Sequence, residues 1–360
     1  MTRKQWRSVL INAGGRLEGR MALNFRGCLS CIAGHIWTAV PPLMEAMRRA
    51  RPANGTRLEA RLNDPVVGPI NIRAALHEVS SSESLVVIVH GIGGTADSPY
   101  CVTAALAAVA VGCSAVRISL RGADGNGDDI YHAGLTEDLK ILLSLPRLDR
   151  YRRVFLLGYS LGGTIALMAA VDQIDKRLAG VVAICPPLDL RAAMENFDRR
   201  RLWLHKKLLN THANRAYAVV ERRGRACTSI RELRRARNCA EWNQMTIVPR
   251  FRFRDANHYY EEASVTRHWR RLRVPALIAA SLRDPIVPCE SIRRKVAGAP
   301  AHVRIAWLDA GGHIHFPRNV DLGEAAALGL ENQCVAWLIR QSTFRCSTAH
   351  GDTRTTTSRS

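Results

Sequence analysis

Read for its apolar and polar positions, the chain repeats one alternation. A short, mostly apolar run is followed by a polar or glycine-bearing turn, then by a longer helical stretch. Leu85–Val89, Ala115–Leu120, Val154–Leu157, Val181–Ile184, Val274–Ser281 and Val303–Leu308 have the length and β-branched content of strands buried on both faces. Between and after them, Tyr100–Val111, the segment behind Thr136 (which fits an N-cap), Thr164–Ala170 and Ala325–Ile339 read as helices. Thr56–Leu62 and Pro69–Val79, divided by Asn63-Asp64-Pro65, read as a strand pair. Strands alternating with helices predict an α/β fold, a mostly parallel central sheet with helices on both faces.

The alternation is interrupted once. Residues 191–273 contain no buried-strand run, and helical patterns such as Leu202–Leu209 and Ile230–Arg237 dominate. The segment carries 21 Lys/Arg against 8 Asp/Glu, a local net of +13. It predicts a basic helical cap inserted over the strand ends, docked to the core near its end by Tyr259-Tyr260 and Ser264. The expected organisation is a basic N-terminal arm over 1–50 with a helical patch around Pro42–Arg49, a first core part over 51–190, the cap over 191–273, a second core part over 274–341, and a tail over 342–360. The tail is rich in Ser, Thr and Arg, too poor in apolar residues to order itself.

Composition changes this picture in two places. With 360 residues and 47% hydrophobic content a sizeable core is available, but the net charge is +21. Such a charge attracts anionic surfaces. No nucleic-acid-binding signature accompanies it and aromatics are only 6%, so no specific nucleic-acid partner is expected. A genome rich in Arg codons is the plainer explanation of the net charge and a solvated helical surface that of the basic cap, and peripheral contact with an anionic membrane is the alternative. The ten cysteines have no regular spacing; Cys28 and Cys31 form a lone C-x-x-C without a second pair or a nearby His-x-x-x-His, which is weak evidence for zinc, and no metal site is expected. Cys113, Cys185 and Cys289 fall in or beside expected strands, where a thiol packs as a small apolar group. A reducing, cytoplasmic setting is expected. Val9-Leu10-Ile11 is too short for a signal peptide, and the uncharged stretch from Gly27 to Met44, broken by His35 and Pro41-Pro42, reads as a surface-lying or groove-covering segment rather than a span. The oligomeric state stays open.

The candidate chemistry centres on Gly158-Tyr159-Ser160-Leu161-Gly162-Gly163, placed between a buried strand and a helix. A serine on such a sharp strand-to-helix turn is a nucleophile elbow, with small residues flanking it because the turn is strained. A plain turn with a Ser N-cap is the competing reading. A serine hydroxyl needs a base for its proton and a carboxylate to hold that base. In α/β-hydrolase chain order these follow the serine as acid, then histidine. Asp284, before Pro285 on the exit of a late strand, and His313, after Gly311-Gly312 on the exit of the last strand, fill those places. His315 and Asp309 are the weaker candidates for base and acid. The exit His90-Gly91-Ile92-Gly93-Gly94 lets backbone approach a ligand, so the N–H groups of Ile92 and Leu161 are the expected oxyanion donors. His90 is expected to brace that loop, and Asp138 to carry structural hydrogen bonds.

On these residues the chain resembles the α/β-hydrolase superfamily, and within it the YheT-like hydrolases. The resemblance spans roughly 30–340 and rests also on Gly34-His35-Ile36-Trp37-Thr38, Ser98-Pro99-Tyr100, Tyr131-His132-Ala133-Gly134 with Asp138, and Tyr259-Tyr260 with Ser264. It implies a carboxylic-ester hydrolase using a Ser-Asp-His triad and no metal or organic cofactor. The expected substrate is a small-molecule ester of short or medium acyl chain, and the basic cap also permits a lipid-like or anionic ester. The family's usual two acids before the proline are here Arg283-Asp284, and the second, expected to be the catalytic one, is kept. Two other outcomes are compatible with the same residues: acyl transfer to an alcohol, and a non-catalytic scaffold that binds anionic surfaces.

Overall fold

A computed structural model describes residues 9–12, 33–38 and 55–341. The helical patch at 42–49, the Cys28/Cys31 pair and the tail at 342–360 lie outside the described residues, as does most of the 27–44 stretch. The strands are β1 (Val9–Asn12), β2 (Thr56–Asp64), β3 (Gly68–His77), β4 (Ser84–Val89), β5 (Ser114–Ser119), β6 (Arg153–Tyr159), β7 (Leu178–Ile184), β8 (Ala276–Ser281) and β9 (Val303–Leu308). They form one sheet in the order β1-β9-β8-β7-β6-β4-β5-β3-β2. The six strands from β5 to β9 in that order are mutually parallel, while β3, β2 and, at the other edge, β1 run antiparallel to their neighbours.

The continuous apolar runs are strands covered on both sides. Val86, Ile88, Phe155 and Leu157 face a core shared with α2 (Pro99–Ala110) and α12 (Leu330–Arg340). The alternate residues Leu85, Val87, Val89 and Leu156 face the core built with α3 (Glu137–Leu143) and α4 (Leu161–Val171). Period-two alternation of side chains thus splits one strand between two cores.

Between β7 and β8 the chain makes helices only: α5 (Leu190–Phe197), α6 (Trp203–Arg222), α7 (Ile230–Leu233), α8 (Cys239–Met245), α9 (Ile247–Phe251) and α10 (Ala256–Glu262), besides short 3-10 turns. Ile247, Val248, Tyr259 and Tyr260 of this insertion are buried in the same cluster as the sheet. The Tyr259 hydroxyl accepts the N–H of Ala133 at 3.2 Å, and Ser264 Oγ accepts the N–H of Leu190 at 3.0 Å. Arg250, buried on α9, is held by Asp129 (2.6 Å) and Asp64 (2.8 Å) of the core. Asp129 also meets the fully buried Arg121, which Asp138 grips through both backbone and side chain.

Some expectations shift. The last helix begins at Leu330 rather than Ala325, because Gly329 at φ +112° sets its start. Thr136 stands at the N-cap of α3 without capping it; its hydroxyl points to Asp172. α6 continues to Arg222, whereas α7 ends at Leu233. Cys289 opens α11 (Cys289–Val296) instead of lying beside a strand. A short helix at residues 33–38, α1, was not anticipated as an element. Among the described residues no helix is long and apolar enough to cross a membrane.

Candidate active site

Ser160 sits between the end of β6 and the start of α4 with φ +51° and ψ −122°, a conformation L-residues rarely hold. The surroundings impose it. A Cβ on Gly162 would lie 2.2 Å from the His90 carbonyl oxygen, and one on Gly158 would lie 2.2 Å from that of Gly162. Strand and helix therefore pack at a separation only glycine permits. The Ser160 N–H donates to the Ile184 carbonyl at 2.8 Å, fixing the turn to β7. The side chain makes no N-cap bond.

Its hydroxyl instead lies 2.7 Å from His313 Nε2, and His313 Nδ1 lies 2.7 Å from Asp284 Oδ2. The other oxygen, Asp284 Oδ1, accepts the N–H groups of Ile286 (2.8 Å) and Val287 (3.0 Å). All three residues are buried. A carboxylate can only accept, so Nδ1 carries the proton and Nε2 is left to accept from the serine hydroxyl. The rivals go elsewhere: His315 presents its ring edge-on to Tyr100, 6.3 Å between centroids, and no hydrogen bond or ion pair links Asp309 to His313 among the described residues.

The glycine-rich exit of β4 closes over the serine. A Cβ on Gly91 would stand 3.2 Å from Ser160 Cβ. The N–H of Gly91 donates to the Tyr100 hydroxyl (3.2 Å), that of Gly93 to the Tyr131 hydroxyl (3.0 Å), and that of Gly94 to the Gly91 carbonyl (3.1 Å). Among the described residues the N–H groups of Ile92 and Leu161 have no such acceptor. His90 braces the loop as expected: Nε2 accepts the Leu120 N–H at 3.1 Å, which leaves the Nδ1 proton to donate to the Gly91 carbonyl at 2.8 Å. Burial pushes this imidazole down to about 4, so it stays neutral.

Two contributors escaped the sequence reading. Thr38, at the end of α1, accepts the His313 backbone N–H at 3.1 Å and donates to the Gly34 carbonyl at 2.8 Å. α1 is wedged in place: a Cβ on Gly34 would lie 1.9 Å from the Arg283 carbonyl oxygen, and one on Gly312 would lie 2.6 Å from Thr38 Oγ1. The family resemblance had drawn attention to Gly34–Thr38, but nothing local marks Thr38 as a partner of His313. The second is Cys185, at φ +47° just after β7. Its sulfur, an Asp284 oxygen and a His313 nitrogen lie within 4.8 Å of one another, the spacing of a possible cation site. Burial, with the Asp284 charge beside it, pushes the thiol well above its ordinary range, so it remains S–H. His313 Nδ1 and Asp284 Oδ2 are bonded to each other at 2.7 Å, so an ion taken up there would compete with the bond that orients His313.

A cavity of about 400 Å³ opens above Ser160. Its walls are mostly apolar and come from both the core and the insertion, with Phe197, Leu204, Leu209 and Trp242 opposite Ile92 and Leu161.

A family model described as "Alpha/beta hydrolase family" matches residues 86–325, two thirds of the chain. The chain belongs to the alpha/beta hydrolase family. It is similar, at 28% identity over 237 residues, to the Escherichia coli (strain K12) protein named "Putative esterase YheT", covering 64% of this chain and 69% of the relative. Two solved structures share the hydrolase fold. The 2,6-dihydroxy-pseudo-oxynicotine hydrolase superposes with a TM-score of 0.52 at 17% identity, over 83% of this chain and 71% of its own. Est1E from Butyrivibrio proteoclasticus gives 0.50 at 15% identity, over 80% and 99%.

Proposed function

We propose that this hydrolase is a serine esterase that cleaves carboxylic esters through an acyl-enzyme. The observation that carries the reading is the unbroken hydrogen-bond chain from Ser160 through His313 to Asp284 beneath an apolar cavity. In this scheme His313 Nε2 takes the proton as Ser160 Oγ attacks the ester carbonyl carbon. Asp284, fixed by the Ile286 and Val287 amides, holds the imidazole tautomer and stabilises the imidazolium. The N–H groups of Ile92 and Leu161 receive the oxyanion. His313 then gives its proton to the departing alcohol, and water, deprotonated by the same nitrogen, releases the acid. No step calls for a metal or organic cofactor.

The apolar walls favour an acyl chain over a charged group, and residues 191–273 would act as the cap that shapes its length. The name of the YheT relative, an esterase, agrees with this substrate class. The test is covalent labelling by a fluorophosphonate probe of the wild type beside Ser160→Ala. Labelling of wild type alone is expected, followed by turnover of p-nitrophenyl esters across an acyl-length series. A folded wild type that resists the probe and turns over no ester of the series would overturn the reading.

A further inference from the structure

α6 leaves one long face to solvent, and that face combines two features. Trp203, Leu204, Lys207, Leu208, Thr211 and Arg215 recur at helical spacing on one side and are all exposed. Trp203 is 64% exposed, Leu208 57% and Leu204 47%. Leu204 and Leu208 also line the cavity over Ser160, as does Ile92, itself 47% exposed. The rim of the cavity is therefore apolar and turned outward. Isolated exposed leucines are ordinary; three exposed aliphatic side chains at one opening, with an exposed tryptophan next to Leu204 on the same helix, are not.

The second feature is charge. From Arg199 to Val220 the chain carries Arg199, Arg200, Arg201, Lys206, Lys207 and Arg215 and no Asp or Glu. Lys206 is paired with Asp198 and Arg201 bonds to Asn196, which leaves Arg199, Arg200, Lys207 and Arg215 pointing their charge to water. An exposed tryptophan and leucines on a helix of 20 residues, with cations on that helix and in the turn before it that have no ion-pair partner among the described residues, match an interfacial helix lying on a lipid surface. A nucleic acid would be held by the cations without needing the leucines. We infer that this face, with Ile92, docks the protein on an anionic lipid bilayer and sets the cavity rim against the headgroups. The docking stands without hydrolysis; that the docked rim then admits a lipid ester rests on the esterase reading above.

The test is co-sedimentation of the full chain with vesicles of phosphatidylcholine alone or with about 30 mol% phosphatidylglycerol. Binding to the anionic vesicles only is expected, weakening at least about tenfold as salt rises from about 0.05 M to about 0.5 M. Trp203→Ala should weaken it by about tenfold. Arg199→Glu/Arg200→Glu/Lys207→Glu should weaken it by about a hundredfold or more. A matched reversal elsewhere on the insertion, Arg231→Glu/Arg234→Glu/Arg235→Glu, removes the same charge from exposed positions and should change binding by less than about twofold. Equal loss in the two triple variants would reduce the effect to net charge and overturn the assignment of the face. So would absence of binding to anionic vesicles, or binding indifferent to Trp203→Ala. Ser160→Ala, run in parallel, should bind like wild type; a wild type that binds the anionic vesicles yet resists the fluorophosphonate probe and turns over no ester would sink the esterase reading alone.

Discussion

Ser160 holds a left-handed backbone conformation whose cost, roughly 1–3 kcal/mol, the tight contacts of Gly158 and Gly162 impose on it. The gain is a hydroxyl free of the helix cap and bonded to His313. Ser160→Ala should leave the fold intact and lower kcat roughly ten-thousandfold or more on any ester substrate, and Asp284→Asn, which removes the charge and favours the wrong tautomer, by a similar order. Thr38 tests a subtler dependence. Thr38→Val leaves the His313 N–H without its acceptor, a loss of roughly 1–3 kcal/mol at a buried donor. A drop in kcat larger than any rise in KM is expected, restored by Thr38→Ser, which keeps the hydroxyl. A KM effect alone would make Thr38 only a wall of the cavity. Ser160, Asp284 and His313 could be picked out because each stands in a local signature: a flanking glycine pair, a following proline, a preceding glycine pair. Thr38 and Cys185 could not. Thr38 meets its partner 275 positions away, and Cys185 acquires its place beside Asp284 from a positive φ that no neighbouring residue announces.

Elements followed the same logic. The parallel strands were legible because burial on both faces demands unbroken apolar runs, and β4, β6 and β8 are such runs. β1 was not, since four residues at an edge owe their place to pairing with β9 rather than to their own pattern. The insertion's helices were recognisable as helical but not in extent, their ends being set by caps such as the Ser229–Glu232 capping box and by contact with the core. The strongest of those contacts is ionic. Arg250 of α9 reaches into the core to Asp129 and Asp64, both nearly without solvent. Removing one member of a buried ionic group costs about 3–5 kcal/mol because the others stay buried and uncompensated. Arg250→Met should therefore lower unfolding stability by about that amount in urea titration. It should also loosen the insertion, read as faster amide exchange across α9 and α10. A change below about 1 kcal/mol would show that solvent or Arg121 takes over the pairing.

For the molecule as a whole, acid should be the weak side, and two histidines with no part in the proposed chemistry explain why. Burial depresses His90 to about 4, and burial with the Arg121 and Arg250 charges beside it depresses His132 to about 3. The unfolded chain takes up these protons near 6.5, while the folded one resists them until the lower values. The stability they confer is thus complete above about pH 6.5 and is lost as pH falls toward 4, on the order of 3 kcal/mol for each. Carboxylates held low by arginine partners, such as Glu78 beside Arg147 and Arg150, lose their contribution at still lower pH, so the histidine window comes first. A net charge of +21 works in the same direction, since every proton added raises a self-repulsion already large. Domains are stable by only about 5–15 kcal/mol, so these losses are enough to unfold the protein. Urea titrations from pH 7.5 downward should show a plateau to about pH 6.5, then a steady fall, with acid unfolding between about pH 4 and 5. His90→Asn keeps a donor for the Gly91 carbonyl but cannot take the proton. It should start from lower stability and descend by about 3 kcal/mol less over the same range. An equally steep descent in that variant would shift the acid sensitivity to His132 and the carboxylates.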